Sequence, residues 1–169
     1  TAGPVLLPGD PERVPKIAEA WESVEETGHH REYRTMTGRY EGEPLTVTST
    51  GIGSPGAAIA VEEHANLGTG TFIRVGSCGA IQPEMSVGDL VITTGAVRQE
   101  GTSKEYVREE YPATAHPEVT TALVAACEEL GYDYHCGVTC STDSFYAGQG
   151  RPGFGGFEAA EADGLVEEL

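Results

Sequence analysis

One short segment combines a buried-strand pattern with a guanidinium and a loop of small residues. The run Thr71 to Val75 is apolar and β-branched apart from Arg74, and Gly76, Ser77 and Gly79 follow it. An arginine in such a strand needs a bound anion or a carboxylate partner. Small residues at the carboxyl end of a strand let a ligand reach backbone N–H groups. The segment therefore predicts an anion site, with an arginine paired to an internal glutamate as the alternative.

A second arginine follows another predicted strand end. The run Val5 to Leu7 predicts a short strand that ends in a turn at Gly9 and Asp10, and Arg13 lies in the helix expected after it. Helix N–H groups and a guanidinium would both face an oxyanion there. The alternative is a plain capping turn, in which Asp10 caps the helix and Arg13 points to solvent.

The two arginines can serve one ligand. If their strands are neighbours in the sheet, Arg13 and Arg74 converge on one phosphate-sized anion, to which Ser77 can donate its hydroxyl. They are the candidate catalytic residues. The chain has no Walker-type loop, and Thr50 to Gly53 lacks the third glycine of a dinucleotide fingerprint. Nucleoside triphosphates and NAD are therefore disfavoured.

A third group of residues could recognise a planar ring. Phe145, Gln149 and Arg151 lie just beyond a predicted strand. Phe145 can stack on a ring, Gln149 can pair with adjacent donor and acceptor atoms, and Arg151 can donate to a carbonyl. The combination suits the edge of a nucleobase. A surface loop with an aromatic anchor is the alternative.

Alternating short strands and helices must position these groups. The pattern predicts an α/β fold with a mixed sheet, because the hairpin from Tyr33 to Ser49 is antiparallel and the later crossovers are long enough for parallel pairing. Three helices are expected, each introduced by proline, over about 11–21, 55–67 and 117–130. Further strands are expected at Thr71 to Val75, Leu90 to Val97 and Tyr134 to Cys140.

Length and charge limit the classes of partner. The 169 residues fit one domain, and the net charge of −17 argues against nucleic-acid and anionic-membrane surfaces. There is no long apolar span and no leader, which predicts a cytoplasmic protein. An acidic, lysine-poor composition is typical of adaptation to a salty cytoplasm, with an ordinary acidic protein as the alternative.

Both ends of the chain look unfinished. It begins with Thr1 almost inside a core strand, and an acidic amphipathic helix from Phe157 to Leu169 ends without a C-cap. We therefore expect the single domain over residues 1–169 to be incomplete at both ends, with a naturally short protein as the alternative. The four cysteines form no CxxC pair and the five histidines have no ligand spacing, so we expect no metal site.

Five ordered segments together resemble the hexameric nucleoside phosphorylase family of purine nucleoside and uridine phosphorylases, and within it the branch that acts on uridine. The match runs from about Val5 to Arg151. The segments are Leu7-Pro8-Gly9-Asp10-Pro11-Glu12-Arg13-Val14, His30-Arg31-Glu32-Tyr33, Ser49-Thr50-Gly51-Ile52-Gly53, Arg74-Val75-Gly76-Ser77-Cys78-Gly79-Ala80-Ile81 and Phe145-Tyr146-Ala147-Gly148-Gln149-Gly150-Arg151.

This resemblance implies a three-layer αβα fold with a central mixed, partly barrel-like sheet, and the phosphorolysis of uridine or deoxyuridine. It assigns phosphate binding to Gly9, Arg13, Arg31, Arg74 and Ser77. Inorganic phosphate would be the co-substrate, and no cofactor would be needed. The assembly would be a homohexamer built as a trimer of dimers, in which Arg31 reaches the site of the neighbouring subunit.

The resemblance also assigns the base and a cation. Phe145, Gln149 and Arg151 would bind uracil. Glu32 and the Ile52 carbonyl match family positions associated with a monovalent cation such as K⁺ between subunits. The chain departs from the enterobacterial enzymes at its residue 56, which is a glycine where they carry a serine.

The ribose-binding segment, the lid arginine and an N-terminal histidine of the family lie outside this chain. A purine nucleoside phosphorylase is therefore an alternative, because Gly76-Ser77-Cys78-Gly79 also resembles the purine enzymes. A non-catalytic module that binds nucleoside or phosphate is a second alternative.

Overall fold

The computed structural model describes residues 3–157. The chain divides into two compact units, Thr1–Cys78 and Gly79–Leu169. A single domain over residues 1–169 stays a prediction. The acidic helix expected beyond Phe157 lies outside the described residues.

The first unit contains a five-stranded mixed sheet and two helices. Its elements are β1 (Val5–Pro8), α1 (Arg13–Ala18), β2 (Glu22–His30), β3 (Tyr33–Tyr40), β4 (Glu43–Thr48), α2 (Ser54–Asn66) and β5 (Phe72–Val75). The strand order is β2-β3-β4-β1-β5. Strand β1 pairs in parallel with both β4 and β5, whereas β2, β3 and β4 pair antiparallel. The predicted hairpin, the mixed sheet and the predicted strands β1 and β5 are confirmed.

The two faces of this sheet bury different helices. Val5 and Leu7 of β1 pack with Ala60 of α2, whereas Val47 of β4 packs with Val14 of α1. Alternate residues of a strand point to opposite faces, so β1 contributes to both packed layers. Since β1 lies between β4 and β5, this packing fixes the strand ends that carry the predicted anion site.

Strand β2 was not predicted. All nine of its residues are exposed and give no apolar alternation, because β2 is an edge strand held only by pairing with β3. The exposed edge predicted for His29 to Glu32 is confirmed, with His29 and His30 at the end of β2 and Arg31 and Glu32 in the turn to β3.

The first helix is shorter than predicted. It begins at Arg13, not Pro11, and ends at Ala18. The Oδ1 of Asp10 accepts a hydrogen bond from the Glu12 N–H at 2.8 Å, so Asp10 stabilises the turn before the helix and does not cap the helix itself. Arg13 is therefore the first helical residue.

The second unit contains a smaller sheet. Its elements are β6 (Leu90–Gln99), α3 (Thr102–Tyr106), β7 (Ala113–Thr114), α4 (Pro117–Leu130) and β8 (Tyr134–Thr142), followed by 3₁₀ turns at Ala147–Gln149 and Phe154–Gly156. Strand β6 is central, parallel to β8 and antiparallel to β7. Helix α4 ends at Leu130 and is followed by Gly131 in the left-handed region, with a φ of 69°, as predicted. The short elements α3 and β7 were not predicted.

The barrel-like sheet expected from the family resemblance is not found. In residues 3–157, neither sheet closes on itself, because the first sheet has β2 and β5 as its edges and the second has β7 and β8. Closure would require the two edge strands of a sheet to pair with each other. No helix in this part of the chain is long and apolar enough to cross a membrane.

Candidate functional site

Arg74 lies at the carboxyl end of β5, directly beside the end of β1. In the parallel register, Arg74 is opposite Leu7 and Val75 is opposite Pro8. The Nη1 of Arg74 donates to the Leu7 carbonyl at 2.7 Å and to the Val75 carbonyl at 2.8 Å. The guanidinium is therefore held by the backbone of two adjacent strands and has a fixed position.

Two glycines make room for this guanidinium. A Cβ placed on Gly9 would lie 3.2 Å from Arg74 Nη2, and one placed on Gly76 would lie 3.1 Å from Nη1. Both distances are shorter than ordinary van der Waals contact. The glycine turns after β1 and β5 thus let the backbone approach Arg74 closely, which is the arrangement that the sequence predicts for these strand ends.

Arg13 contributes a second positive charge. The pKa of Arg74 is lower than its usual value. The main cause is desolvation by burial, and the second cause is the positive charge of Arg13. Neither arginine forms an ion pair within residues 3–157, so the predicted alternative of an internal glutamate partner is not found there. Like charges that approach each other without a carboxylate can be compensated by a bound anion.

The burial predicted for Arg74 was wrong. Its side chain is exposed in the first unit, although its neighbours partly desolvate the guanidinium. The reason is its position at the end of β5, where the strand leaves the packed region. An exposed guanidinium in this position can reach a ligand from solvent.

Two of the other predicted phosphate residues form no hydrogen bond with Arg13 or Arg74 within residues 3–157. Ser77 is exposed in the loop two residues beyond β5. Arg31 is exposed in the β2–β3 turn with a φ of 55°, and it makes no hydrogen bond or ion pair within residues 3–157. Their assignment to phosphate stays a prediction.

The two residues predicted to bind a cation, Glu32 and Ile52, lie near each other in the fold. A Cβ on Gly51 would be 2.8 Å from the Glu32 Cγ, so the Glu32 side chain packs directly over the loop that leads to Ile52. Gly51 has a φ of 71°, which glycine adopts most easily. A Cβ on Gly56 would lie 2.4 Å from the Thr50 carbonyl oxygen, so this backbone fits glycine and excludes serine.

The predicted base-binding residues cluster in one loop of the second unit. The Arg151 guanidinium lies over the Phe145 ring, with Cζ 4.7 Å from the ring centroid. The Tyr146 ring meets Phe145 edge to face at 5.4 Å, and the Tyr146 carbonyl accepts the Arg151 N–H at 2.9 Å. Gln149 is exposed at the end of the 3₁₀ turn. A planar cation on an aromatic face is a stabilising arrangement.

The sequence interpretation overlooked two residues that shape this loop. A Cβ on Gly148 would lie 2.4 Å from Thr142 Oγ1, so Thr142 determines how closely the loop folds back on the end of β8. Asp143 accepts a hydrogen bond from the Gly101 N–H at 2.9 Å. In the sequence, Thr142 and Asp143 look like an ordinary polar turn after a strand. The partner of Asp143 is 42 positions away, and the partner of Thr142 is a glycine within the loop, so neither contact gives a sequence signal.

An open cavity in the second unit lies elsewhere. It has a volume of about 560 Å³ and is lined by residues of β6, of α3 and of the segment that leads to β7, including Arg98, Lys104 and Tyr111. None of the predicted base-binding residues lines it. Within residues 3–157, no group of three His, Cys, Asp or Glu side chains is arranged to hold a metal ion.

Comparison with known proteins shows the family of this chain. Residues 5–168 match the family model of the phosphorylase superfamily. The chain belongs to the phosphorylase superfamily. The matched range includes Arg13 and Arg74 of the first unit and Phe145, Gln149 and Arg151 of the second unit.

Named relatives of this phosphorylase-superfamily chain include enzymes of two substrate types. A uridine phosphorylase of Thermococcus kodakarensis is 62% identical over 98% of this chain and 60% of its own length. A uridine phosphorylase of Escherichia coli is 49% identical over 86% of this chain and 58% of its own. A guanosine phosphorylase of Halorubrum lacusprofundi is 48% identical over 83% and 58%. This chain thus spans about three-fifths of the length of these relatives.

Proposed function

We propose that the full-length protein is a uridine phosphorylase, which converts uridine and inorganic phosphate to uracil and ribose 1-phosphate. The observation that carries the proposal is the Arg74 guanidinium, which is held at the ends of β1 and β5 against two glycine turns and has no carboxylate partner among residues 3–157. The charge of Arg13 acts on the same guanidinium. The likeness to uridine phosphorylases at 62% and 49% identity supports the choice of nucleoside.

Phosphate is the nucleophile in this proposal. Arg74 and Arg13 hold its oxygens and orient one of them toward C1′ of the ribose, with the Gly9 turn close to the ligand. The bond from phosphate oxygen to C1′ forms as the bond from C1′ to uracil N1 breaks. The sugar passes through an oxocarbenium-like state, so no covalent intermediate with the protein is required.

The departing base takes the bonding electrons and becomes negatively charged. Gln149 and Arg151 bind its carbonyls and ring N–H and stabilise this charge. Phe145 contacts the base and also supports Arg151, whose guanidinium lies 4.7 Å from its ring centroid. The base then takes a proton to leave as neutral uracil.

A purine nucleoside is the second candidate substrate. The guanosine phosphorylase of Halorubrum lacusprofundi is 48% identical to this chain, almost as similar as the Escherichia coli uridine phosphorylase at 49%. The same phosphate chemistry would apply. The pair Gln149 and Arg151 favours a pyrimidine, because an amide and a guanidinium match the two carbonyls and the N–H of uracil.

Several further properties belong to the same proposal. Inorganic phosphate is the co-substrate, and K⁺ binds at Glu32 and the Ile52 carbonyl. The full-length protein is a cytoplasmic homohexamer with a three-layer αβα fold, in which Ser77 completes the phosphate site and Arg31 reaches the site of the neighbouring subunit. The exposure of Arg31 in a sharp turn at a sheet edge supports its availability to a partner.

The direct test is uracil release from uridine by the full-length protein in molar KCl, followed by absorbance. We expect release only when phosphate is present, together with formation of ribose 1-phosphate. Inosine and guanosine are the comparison substrates. Release without phosphate would indicate a hydrolase, and preferential cleavage of guanosine would favour the purine alternative. No release from any nucleoside would leave only a binding module.

A further inference from the structure

The loop with the predicted base-binding residues is joined to a distant segment of the second unit by an aspartate. Asp143 directly follows β8, and its Oδ2 accepts a hydrogen bond from the Gly101 N–H at 2.9 Å. The two residues are 42 positions apart in the sequence. We propose that Asp143 is a positioning residue that sets where the loop 143–151 presents Gln149 and Arg151 to the base. This inference rests on the function proposed above.

The donor of this hydrogen bond lies in a well-held segment. Arg98, near the end of β6, donates from Nε to the Ser103 Oγ at 2.8 Å. Glu100 is 5% exposed and accepts the Ser103 N–H and hydroxyl. The Arg98 guanidinium also donates to the backbone carbonyls of Val107, Arg108, Glu109 and Tyr111. The Gly101 N–H is therefore a donor of fixed position.

The contact extends the pairing of β6 with β8. The last pair of this parallel ladder joins Gln99 to Thr142. The side chain of Asp143, the residue after Thr142, then reaches the N–H of Gly101, which is two residues after Gln99. The β6–β8 ladder has no further pair after Gln99 and Thr142. Asp143 is thus a contact from the base loop to a segment outside it, at the position where the strand ends.

The internal shape of the loop is determined by contacts other than that of Asp143. The Ser144 N–H donates to Thr142 Oγ1 at 3.3 Å, and Gly148 packs against the same hydroxyl. These contacts join residues that are close in sequence and do not involve Asp143. Loss of the Asp143 carboxylate should therefore keep the fold of the loop and change its position relative to β6. A change of this kind weakens base binding more than phosphate binding.

The test compares three variants of the full-length protein. Asp143→Ala removes the acceptor, whereas Asp143→Asn keeps a carbonyl oxygen that can accept the same N–H. Asp89→Ala is the matched control, because the Asp89 Oδ2 also accepts a backbone N–H, that of Ser86 at 2.8 Å. Asp89 precedes β6 and lies at the opposite end of the β6–β8 ladder from Asp143.

We expect Asp143→Ala to raise KM for uridine about tenfold, the cost of one lost hydrogen bond, with little change in KM for phosphate. Asp143→Asn should retain most of the uridine affinity. Asp89→Ala should leave KM for uridine unchanged even if it lowers the melting temperature. An Asp143→Ala value within about twofold of the wild type would overturn the inference, as would an Asn variant as impaired as the Ala variant.

Hydrogen exchange gives a readout that does not depend on activity. The amides of residues 145–151 should exchange about tenfold faster in Asp143→Ala than in the wild type, Asp143→Asn or Asp89→Ala. Unchanged exchange in Asp143→Ala would refute the positioning role. If the wild type fails to cleave uridine, the proposed function fails, and the exchange rates still decide the role of Asp143.

Discussion

The contacts of Arg74 are backbone contacts. Its position in a β-branched run before a glycine loop predicts an anion site. The sequence could not show that Arg74 binds the Leu7 carbonyl, because the two residues are 67 positions apart and meet only through the pairing of β1 with β5. The approach of Arg13 depends on the same pairing. A residue type and its neighbours thus predict chemistry, whereas the partners of the side chain depend on tertiary register.

Replacement of Arg74 tests the phosphate role most directly. We expect Arg74→Ala to lower kcat/KM for phosphate by about 100-fold or more, since it removes a charge-assisted donor to the nucleophile. Arg34→Ala is the matched control, because Arg34 is an arginine of the same sheet that pairs with Glu26 at 2.6 Å. Steady-state kinetics with varied phosphate is the measurement. Equal losses in the two variants would show that the effect is structural.

A histidine in the first unit links stability to pH. The His64 Nε2 lies 2.7 Å from Thr48 Oγ1, which in turn is 3.0 Å from Thr35 Oγ1. Burial lowers the pKa of His64 from its usual value of 6.5. The unfolded chain therefore binds a proton more readily than the folded chain, so stability falls as the pH drops from about 6.5 toward the lower folded value.

We expect His64→Leu to reduce the loss of melting temperature between about pH 7.5 and about pH 5.5, because the variant has no proton to take up at this site. His29→Gln is the control, since His29 is exposed on the edge strand β2. Scanning calorimetry across the pH range measures the effect. A wild-type pH dependence in His64→Leu would contradict the assignment.

At the scale of elements, hydrophobic pattern and proline position predicted most strands and the longer helices. Strands β1, β5, β6 and β8 and helices α2 and α4 carry clear apolar or capping signals and are confirmed. The missed elements lack such signals. Strand β2 is exposed along its whole length, and α3 and β7 have five and two residues. Their formation depends on pairing and on the Arg98 hydrogen bonds, which are tertiary.

The loop after β8 gives a prediction at this scale. A Cβ at Gly148 would lie 2.4 Å from Thr142 Oγ1 and 3.0 Å from the Ser144 Cβ, so Gly148→Ala must displace the loop. We expect KM for uridine to rise about tenfold while KM for phosphate changes little. Gly137→Ala in β8 is the control, because a Cβ there meets no atom within 4 Å.

Removal of the Thr142 hydroxyl should relieve the clash. The double variant Gly148→Ala with Thr142→Ala should therefore bind uridine better than Gly148→Ala alone. Additive losses in the double variant would mean that the two residues act independently, contrary to the packing.

At the scale of the whole molecule, the charge of −17 is the dominant feature. The negative charges repel each other in dilute buffer. Salt screens this repulsion, with a screening length of about 10 Å at 0.1 M. We expect the melting temperature of the full-length protein to rise from low salt to molar KCl. A constant or falling melting temperature would argue for an ordinary acidic protein.

A charge-reduced variant provides the control for this salt effect. Glu19, Glu25 and Glu62 are exposed and make no hydrogen bond or ion pair through their side chains within residues 3–157. Their joint replacement by glutamine removes three negative charges without loss of a contact in that region. The variant should show a smaller gain in melting temperature between low salt and molar KCl than the wild type.

The two carbonyl contacts of Arg74 connect ligand binding with correct folding. A shift of β5 by one residue along β1 would turn Arg74 to the opposite face of the sheet and break its hydrogen bond to Leu7. An anion that needs this guanidinium therefore recognises only the chain with correctly registered strands. By mass action it raises the population of that state as its concentration increases. Phosphate would then be a folding ligand of the first unit as well as a reactant.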